Sequence, residues 1–158
     1  YPEDFRDRDK RAGNQNKRIK QKILRTEAVL LPSSGGSIEE HLKKTGSTFQ
    51  EYLLELIIER DLKNSEVYNG ANISKQHFSK IMSNKNYRPT KNTACALAIS
   101  LHLDLTTANA LLKKAGLVLS RSSRFDLAIE YFLVNHMYNI VADNITLNDL
   151  GLDTLGMK

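Results

Sequence analysis

Apolar residues recur every three or four positions along most of the chain, which is the spacing of one face of an α-helix. The clearest stretch begins at Phe49, where apolar residues follow one side of a helix and glutamates follow another: Phe49, Leu53, Leu56, Ile57 and Leu62 against Glu51, Glu55 and Glu59. No segment shows a convincing alternation of apolar and polar residues, the pattern of a half-buried strand. The chain is therefore predicted to be all-α.

Capping and turn residues divide this pattern into successive helices. Ser37-x-x-Glu40 and Ser47-x-x-Gln50 are both capping boxes, and each predicts a helix start. Four later helices are predicted from their caps and apolar residues: from Thr90 or Asn92 through Leu101, from Asp104 or Thr106 to Gly116, over 125–137, and in the last twenty residues, which contain Ile145, Leu147, Leu150 and Leu155.

Composition divides the chain into three predicted parts. Residues 1–36 are a basic N-terminal arm that ends in the flexible sequence Pro-Ser-Ser-Gly-Gly. Residues 37–118 form the main helical domain, and residues 119–158 form a C-terminal helical extension. This extension either packs back on the domain or uses its spare apolar residues as a dimer surface. Because the sequence begins at Tyr1 rather than Met, we expect it to be a fragment or a processed product.

Positive charge is unevenly distributed along the chain. Residues 1–25 hold nine Lys/Arg and four Asp/Glu, while the rest of the chain holds 14 of each sign. Residues 72–92 contain five cations and no acid, as expected of a nucleic-acid-binding face or of an ordinary charged surface. The arm is either a tail that is ordered only when packed on something or a source of additional phosphate contacts.

Few residues indicate catalysis, metal binding or a membrane. Cys95, the single cysteine, lies in a largely apolar run and is expected in the core, in keeping with a cytoplasmic protein. The four histidines form no His-x-x-x-His pair, and Gly35-Gly36 is not followed by the Lys-Ser/Thr of a phosphate loop. The apolar runs are far shorter than the ~20 residues that span a membrane. We therefore expect neither an enzyme nor a cofactor, metal or membrane segment.

The stretch from Val67 to Ile81 has the pattern of two short helices that cross steeply. Val67 and Ala71 should face inward, and Ile73 should fill the turn beside Asn72, a residue that tolerates the left-handed conformation. Ser74 is a natural N-cap for the second helix. Phe78 and Ile81 should anchor this helix from behind, which leaves several polar residues facing outward: Lys75, Gln76, His77, Ser79 and Lys80.

Such a helix can enter the major groove of DNA with its outward side chains toward the base edges. Gln can pair with adenine, and Lys can donate to guanine or to phosphate. Gln76, Lys75 and His77 are therefore predicted to read bases, with Ser79 and Lys80 at their edge. The helix N-terminus at Ser74 favours a phosphate. Further phosphate contacts are predicted for four residues: Asn64, Lys85, Arg88 and Lys91.

These residues resemble the helix-turn-helix of the phage-repressor (Cro/Xre) family. Val67-Tyr68 stands at the usual Leu-Ala of the first helix, Asn72-Ile73-Ser74 at the usual Gly-Val-Ser turn, and Phe78-Ser79 at the usual Ile-Ser of the recognition helix. The resemblance continues through Ala98, Leu101, Leu103 and Leu111 and covers residues 48–116. It implies a five-helix lambda-repressor-like domain in a sequence-specific transcriptional regulator that binds double-stranded DNA as a homodimer.

Three positions depart from the family pattern. Asn64 stands where Gln is common, Tyr68 replaces a small residue, and Lys63 stands where Thr or Ser often caps the helix, which leaves Asn64 as the substitute cap. These differences concern the DNA contacts more than the fold.

A second, looser resemblance covers Phe49 to Gly156. The run Phe78-Ser79-Lys80-Ile81, the connection Asn86-Tyr87-Arg88-Pro89 and the segment from Phe125 to Phe132 are similar to a helix-turn-helix module at the C-terminal end of larger bacterial signalling or defence proteins. This resemblance implies an alternative function, a protein-interaction or assembly module with a protein partner or a fused domain.

Overall fold

A computed structural model describes residues 36–156, and this part of the chain contains eight helices and no strand. The all-α prediction is confirmed. The predicted basic arm lies almost wholly outside the described residues. In chain order, the helices are α1 (Ile38–Leu42), α2 (Phe49–Glu59), α3 (Asn64–Gly70), α4 (Lys75–Ser83), α5 (Lys91–Ser100), α6 (Leu105–Lys114), α7 (Arg124–Val134) and α8 (Ile140–Asp149).

The chain divides into two compact units, residues 1–46 and residues 47–158. Helix α1 belongs to the first unit. No residue of α1 is buried. Helices α7 and α8 of the predicted extension belong to the same unit as α2–α6.

Helix α5 lies at the centre of the second unit and contacts α3, α6, α7 and α8. Every residue from Thr93 to Ile99 is buried. Several of these side chains are small, including those of Ala94, Cys95 and Ala98, so neighbouring helices can approach on all sides of α5. Leu97 and Ile99 supply the larger buried side chains. Cys95 is thus the core residue that the sequence predicts.

The start of α2 lies one residue later than its predicted capping box. Thr48, not Ser47, is the N-cap: its hydroxyl accepts a hydrogen bond from Glu51 N (3.2 Å), and the Glu51 carboxylate accepts one from Thr48 N (2.9 Å). This register places Gln50 in the first turn as a buried residue rather than as the capping partner. At the two later starts that the sequence left open, Thr90 caps α5 and Asp104 caps α6.

The C-terminal helices pack back on their own unit through one face. Ile129 and Phe132 of α7 and Leu147 of α8 are buried. Helix α7 ends at Val134, before the predicted residue 137, because His136 adopts the left-handed conformation (φ 56°). Helix α8 is the further helix predicted in the last twenty residues, and its Ile145 is 59% exposed.

Candidate nucleic-acid interface

Helices α3 and α4 are joined by the tight turn that the sequence predicts. Asn72 has φ 57°, in the left-handed region, and Ile73 N donates to Tyr68 O across the turn (3.0 Å). Ile73 is fully buried beneath it. Ser74 then begins α4, and its hydroxyl accepts a hydrogen bond from His77 N (3.0 Å). Both predicted roles, the left-handed Asn72 and the Ser74 cap, are confirmed.

One side of α4 is anchored in the core and the other is exposed. Phe78 and Ile81 are buried, and the Phe78 ring lies 5.8 Å from the Tyr68 ring, centroid to centroid. Tyr68 thus fills the place that a small residue would leave open. At 100° per residue the exposed positions of α4 fall on one continuous face. This exposed α4 face contains no acid and consists of Lys75, Gln76, Ser79, Lys80 and Ser83.

His77 lies beside this face rather than on it. Its side chain is half-buried, and its Nε2 atom is 3.0 Å from the Tyr87 hydroxyl, with the two rings edge to face. The contact joins α4 to the connection that follows it. The structure therefore separates His77 from Lys75 and Gln76, the other two residues predicted to read bases.

Gln50 holds the connection over residues 84–90 in place. The sequence predicts only a capping role for this residue. The Gln50 amide nitrogen donates to Asn84 O and to Tyr87 O, both at 2.9 Å. Two bonds from one buried amide fix the path of a polar loop. A polar residue on the core side of an amphipathic helix was the available sequence signal for this role.

The four residues predicted to contact phosphate lie in different surroundings. Lys85 and Arg88 are exposed on the connection, and an Arg88 guanidinium nitrogen lies 3.5 Å from Ala115 O, at the end of α6. Asn64 is the first residue of α3, but it does not cap that helix. The Glu66 carboxylate instead accepts a hydrogen bond from Lys63 N (2.8 Å), so an anion already occupies this helix terminus.

Lys91 is partly exposed and is engaged by a buried carboxylate. Its ammonium group lies 2.7 Å from a carboxylate oxygen of Asp126, a side chain that is only 2% exposed. The same oxygen accepts a hydrogen bond from Ser120 N (2.7 Å). Lys91 therefore neutralises a buried carboxylate and ties α5 to the start of α7, which leaves its charge less available to a phosphate.

The single cysteine, Cys95, is a free and buried thiol. Burial raises the pKa of the Cys95 thiol to about 12, with a further rise from the charge of Asp126 and an opposing effect of Lys91, so the thiol is protonated at neutral pH. No group of three or more His, Cys, Asp or Glu residues in 36–156 is arranged to hold a metal. None of the described helices is long and apolar enough to cross a membrane.

Comparisons with protein-family models, with curated proteins and with solved structures find no match to this chain.

Proposed function

We propose that the chain is a sequence-specific regulator of transcription that binds double-stranded DNA, with α2–α6 as a five-helix domain of the Cro/Xre type. The observation that carries the proposal is the exposed α4 face, which presents lysines, a glutamine and serines without an acid on a helix whose other side is buried. In this proposal the protein acts in the bacterial cytoplasm and needs no cofactor.

The exposed α4 face has the chemistry required for contact with base edges. Gln76 can donate to and accept from adenine in the major groove, and Lys75 and Lys80 can donate to guanine or to phosphate. We assign base reading to Gln76 and Lys75, and the edge of the contact to Ser79 and Lys80. His77 has a supporting role, since its bond to Tyr87 orients the connection beside α4.

Phosphate contacts are assigned to the exposed cations that follow α4. Lys85 and Arg88 lie on the connection that Gln50 holds, so their backbone positions are defined before DNA arrives. Lys91 is not assigned a phosphate contact because Asp126 already neutralises its charge. Asn64 remains a weaker candidate, because the Glu66 carboxylate beside it repels a phosphate.

The test measures binding of the full chain to its own upstream region and to a random duplex, each at two salt concentrations. A regulator keeps tight binding to its own site while binding to random DNA falls steeply with salt. No binding to either duplex at low salt and micromolar protein would refute the proposal.

Gln76→Ala separates base reading from general attraction. We expect a loss of about 1–3 kcal/mol on the cognate site, with relaxed specificity at one base pair and little change on random DNA. Arg88→Ala should weaken binding to both duplexes alike and lower the salt dependence by about one counterion. Asn109→Ala, at an exposed polar position of α6, is the control. Equal losses on both duplexes for Gln76→Ala and Arg88→Ala would contradict these roles.

We further propose that the regulator binds as a homodimer. One module of this size covers only about 600–1,000 Å² of DNA surface, and paired half-sites are the usual remedy. Exposed apolar side chains of α7 and α8 are available for the contact between the two copies, notably Tyr131 (60% exposed), Val134 (53%) and Val141 (67%). Tyr131→Lys should give a monomer in sedimentation equilibrium, whereas Asn109→Lys should not; a monomeric wild-type chain would overturn the dimer.

The second candidate function is a protein-interaction or assembly module within a larger protein. The same exposed apolar residues of α7 and α8 favour it, because an interface with a protein partner would remove them from water. The two functions differ in their dependence on α4. Lys75→Gln combined with Lys80→Gln removes two positive charges from α4. We expect this double variant to lose DNA binding and to retain an interaction through α7 and α8.

A further inference from the structure

The last described residues fold back across the turn between α3 and α4. We call residues 152–156 the C-terminal strap. Asparagine side chains from three different elements hold its backbone. Asn144 of α8 binds both the N–H and the carbonyl of Leu155 (2.6 and 3.0 Å), and Asn72 in the turn donates to the same carbonyl (3.2 Å). Asn92 of α5 donates to Thr154 O (2.7 Å) and accepts from Gly156 N (2.8 Å).

The strap fits the turn backbone against backbone. Leu155 is fully buried, and Gly156 is buried with φ 76°. A Cβ added at Gly156 would stand 2.5 Å from Asn72 O and closer still to Ala71 O, distances that no side chain can occupy. Only glycine therefore permits the strap to lie this close to the residues that join α3 to α4.

The strap also accounts for the asparagine in the turn. Glycine and asparagine both tolerate the left-handed conformation that this position requires. Asn72 adds an amide, which the structure uses to bind Leu155 O. The turn therefore does more than reverse the chain, since it also provides part of the binding site for the strap.

We infer that the C-terminal strap positions α4 by holding the Ala71–Ser74 turn in one conformation. Helix α3 has only seven residues and α4 nine, so the angle between them depends on what holds the turn. Thr154 and Gly156 also line a groove of about 460 Å³ with His77 of α4, which places the strap beside the first turn of that helix. The effect of the strap on DNA affinity rests on the proposed function, whereas its effect on the turn does not.

Two glycines provide a matched pair of variants. Gly156 and Gly151 both have positive φ (76° and 72°), so alanine is strained at either position, but a Cβ at Gly151 meets no atom within 4 Å. Gly156→Ala should displace the strap from the turn, and Gly151→Ala should not. Asn72→Gly is a third variant, which keeps a residue that tolerates the left-handed conformation and removes the side chain that donates to Leu155 O.

The first readout is hydrogen exchange of the full-length variants, after circular dichroism has confirmed unchanged helical content. The Ile73 amide, which bonds Tyr68 O across the turn, reports on the turn, and the Leu97 amide inside α5 reports on global unfolding. We expect Ile73 exchange to rise at least tenfold more than Leu97 exchange in Gly156→Ala, and in the same direction in Asn72→Gly. Equal acceleration of both amides, or the same exchange in the two glycine variants, would overturn the inference.

The second readout is affinity for the cognate duplex. We expect at least a tenfold loss for Gly156→Ala and less than a twofold loss for Gly151→Ala. If Ile73 exchanges faster while affinity is unchanged, the strap does not position α4 and the inference is wrong. If the wild-type chain binds no DNA, the proposed function fails and the exchange comparison alone decides whether the strap holds the turn.

Discussion

Asp143 is a buried carboxyl whose charge the fold opposes. The residue lies in α8, is 1% exposed, and its Oδ2 atom has no hydrogen-bond partner among the described residues. Burial raises its pKa from 3.8 to about 6. Each tenfold change in an ionisation equilibrium corresponds to about 1.4 kcal/mol, so ionised Asp143 destabilises the folded protein by about 3 kcal/mol at neutral pH.

The folded protein becomes less stable as the pH rises, because the folded chain holds the Asp143 proton more tightly than the unfolded chain does. Between the two pKa values the folded chain retains a proton at Asp143 that the unfolded chain has released. The stability that the proton on Asp143 confers is therefore complete below pH 3.8 and is lost as the pH rises through about 6. Asp143→Asn removes this titration. The free energy of unfolding of the variant minus that of wild type should rise by about 2 kcal/mol between pH 4 and pH 7.

The measurement is urea unfolding, followed by circular dichroism, at half-unit intervals from pH 4 to pH 7.5. A constant packing difference between Asp and Asn cancels, because only the change with pH is compared. Asn148→Ala, at an exposed position of the same helix that carries no titratable group, is the control and should show no such rise. A flat difference for Asp143→Asn would mean that the carboxyl ionises normally in the folded protein and would refute the reasoning.

Two further predictions concern buried polar groups that hold loops. Gln50→Ala leaves two carbonyls of the 84–90 connection without their donor, so it should lower the free energy of unfolding by about 1–3 kcal/mol in urea; a change below the error of the method would contradict this role. Lys91→Met leaves the buried Asp126 carboxylate without its cation and should destabilise by up to about 3 kcal/mol, whereas exposed Lys80→Met should change stability by less than about 0.5 kcal/mol. Equal effects of the two lysine variants would show that the ion pair contributes nothing.

Local patterns predicted the helices of residues 36–156, although some of their ends differ, such as the start of α2 after Thr48 and the end of α7 at Val134. A helix face repeats every 3.6 residues, and caps and left-handed turns depend on neighbouring residues, so both can be read along the chain. Asn72 and Ser74 have the roles that this reasoning assigns them, and Phe78 and Ile81 anchor α4 as expected. The small residues around Cys95 likewise indicated a buried helix.

Tertiary structure decided which polar residues are free to act. His77, Lys91 and Gln50 are all polar residues of predicted helices, but each is engaged by a partner 10 to 37 residues away: Tyr87, Asp126, and the carbonyls of Asn84 and Tyr87. Nothing in the local pattern specifies such partners, because contact depends on how the helices pack. The exposed α4 face is therefore smaller than the set of site residues predicted from the sequence.

The C-terminal strap shows most clearly which features depend on local sequence and which depend on tertiary packing. The sequence by itself predicted a helix among the last twenty residues and a left-handed turn at Asn72. Only the tertiary structure brought Leu155 to Asn72, residues 83 positions apart, and gave the turn a second role as a binding site. Helical periodicity acts over one or two turns, whereas backbone-to-backbone packing of distant segments depends on the whole arrangement of α3, α5 and α8.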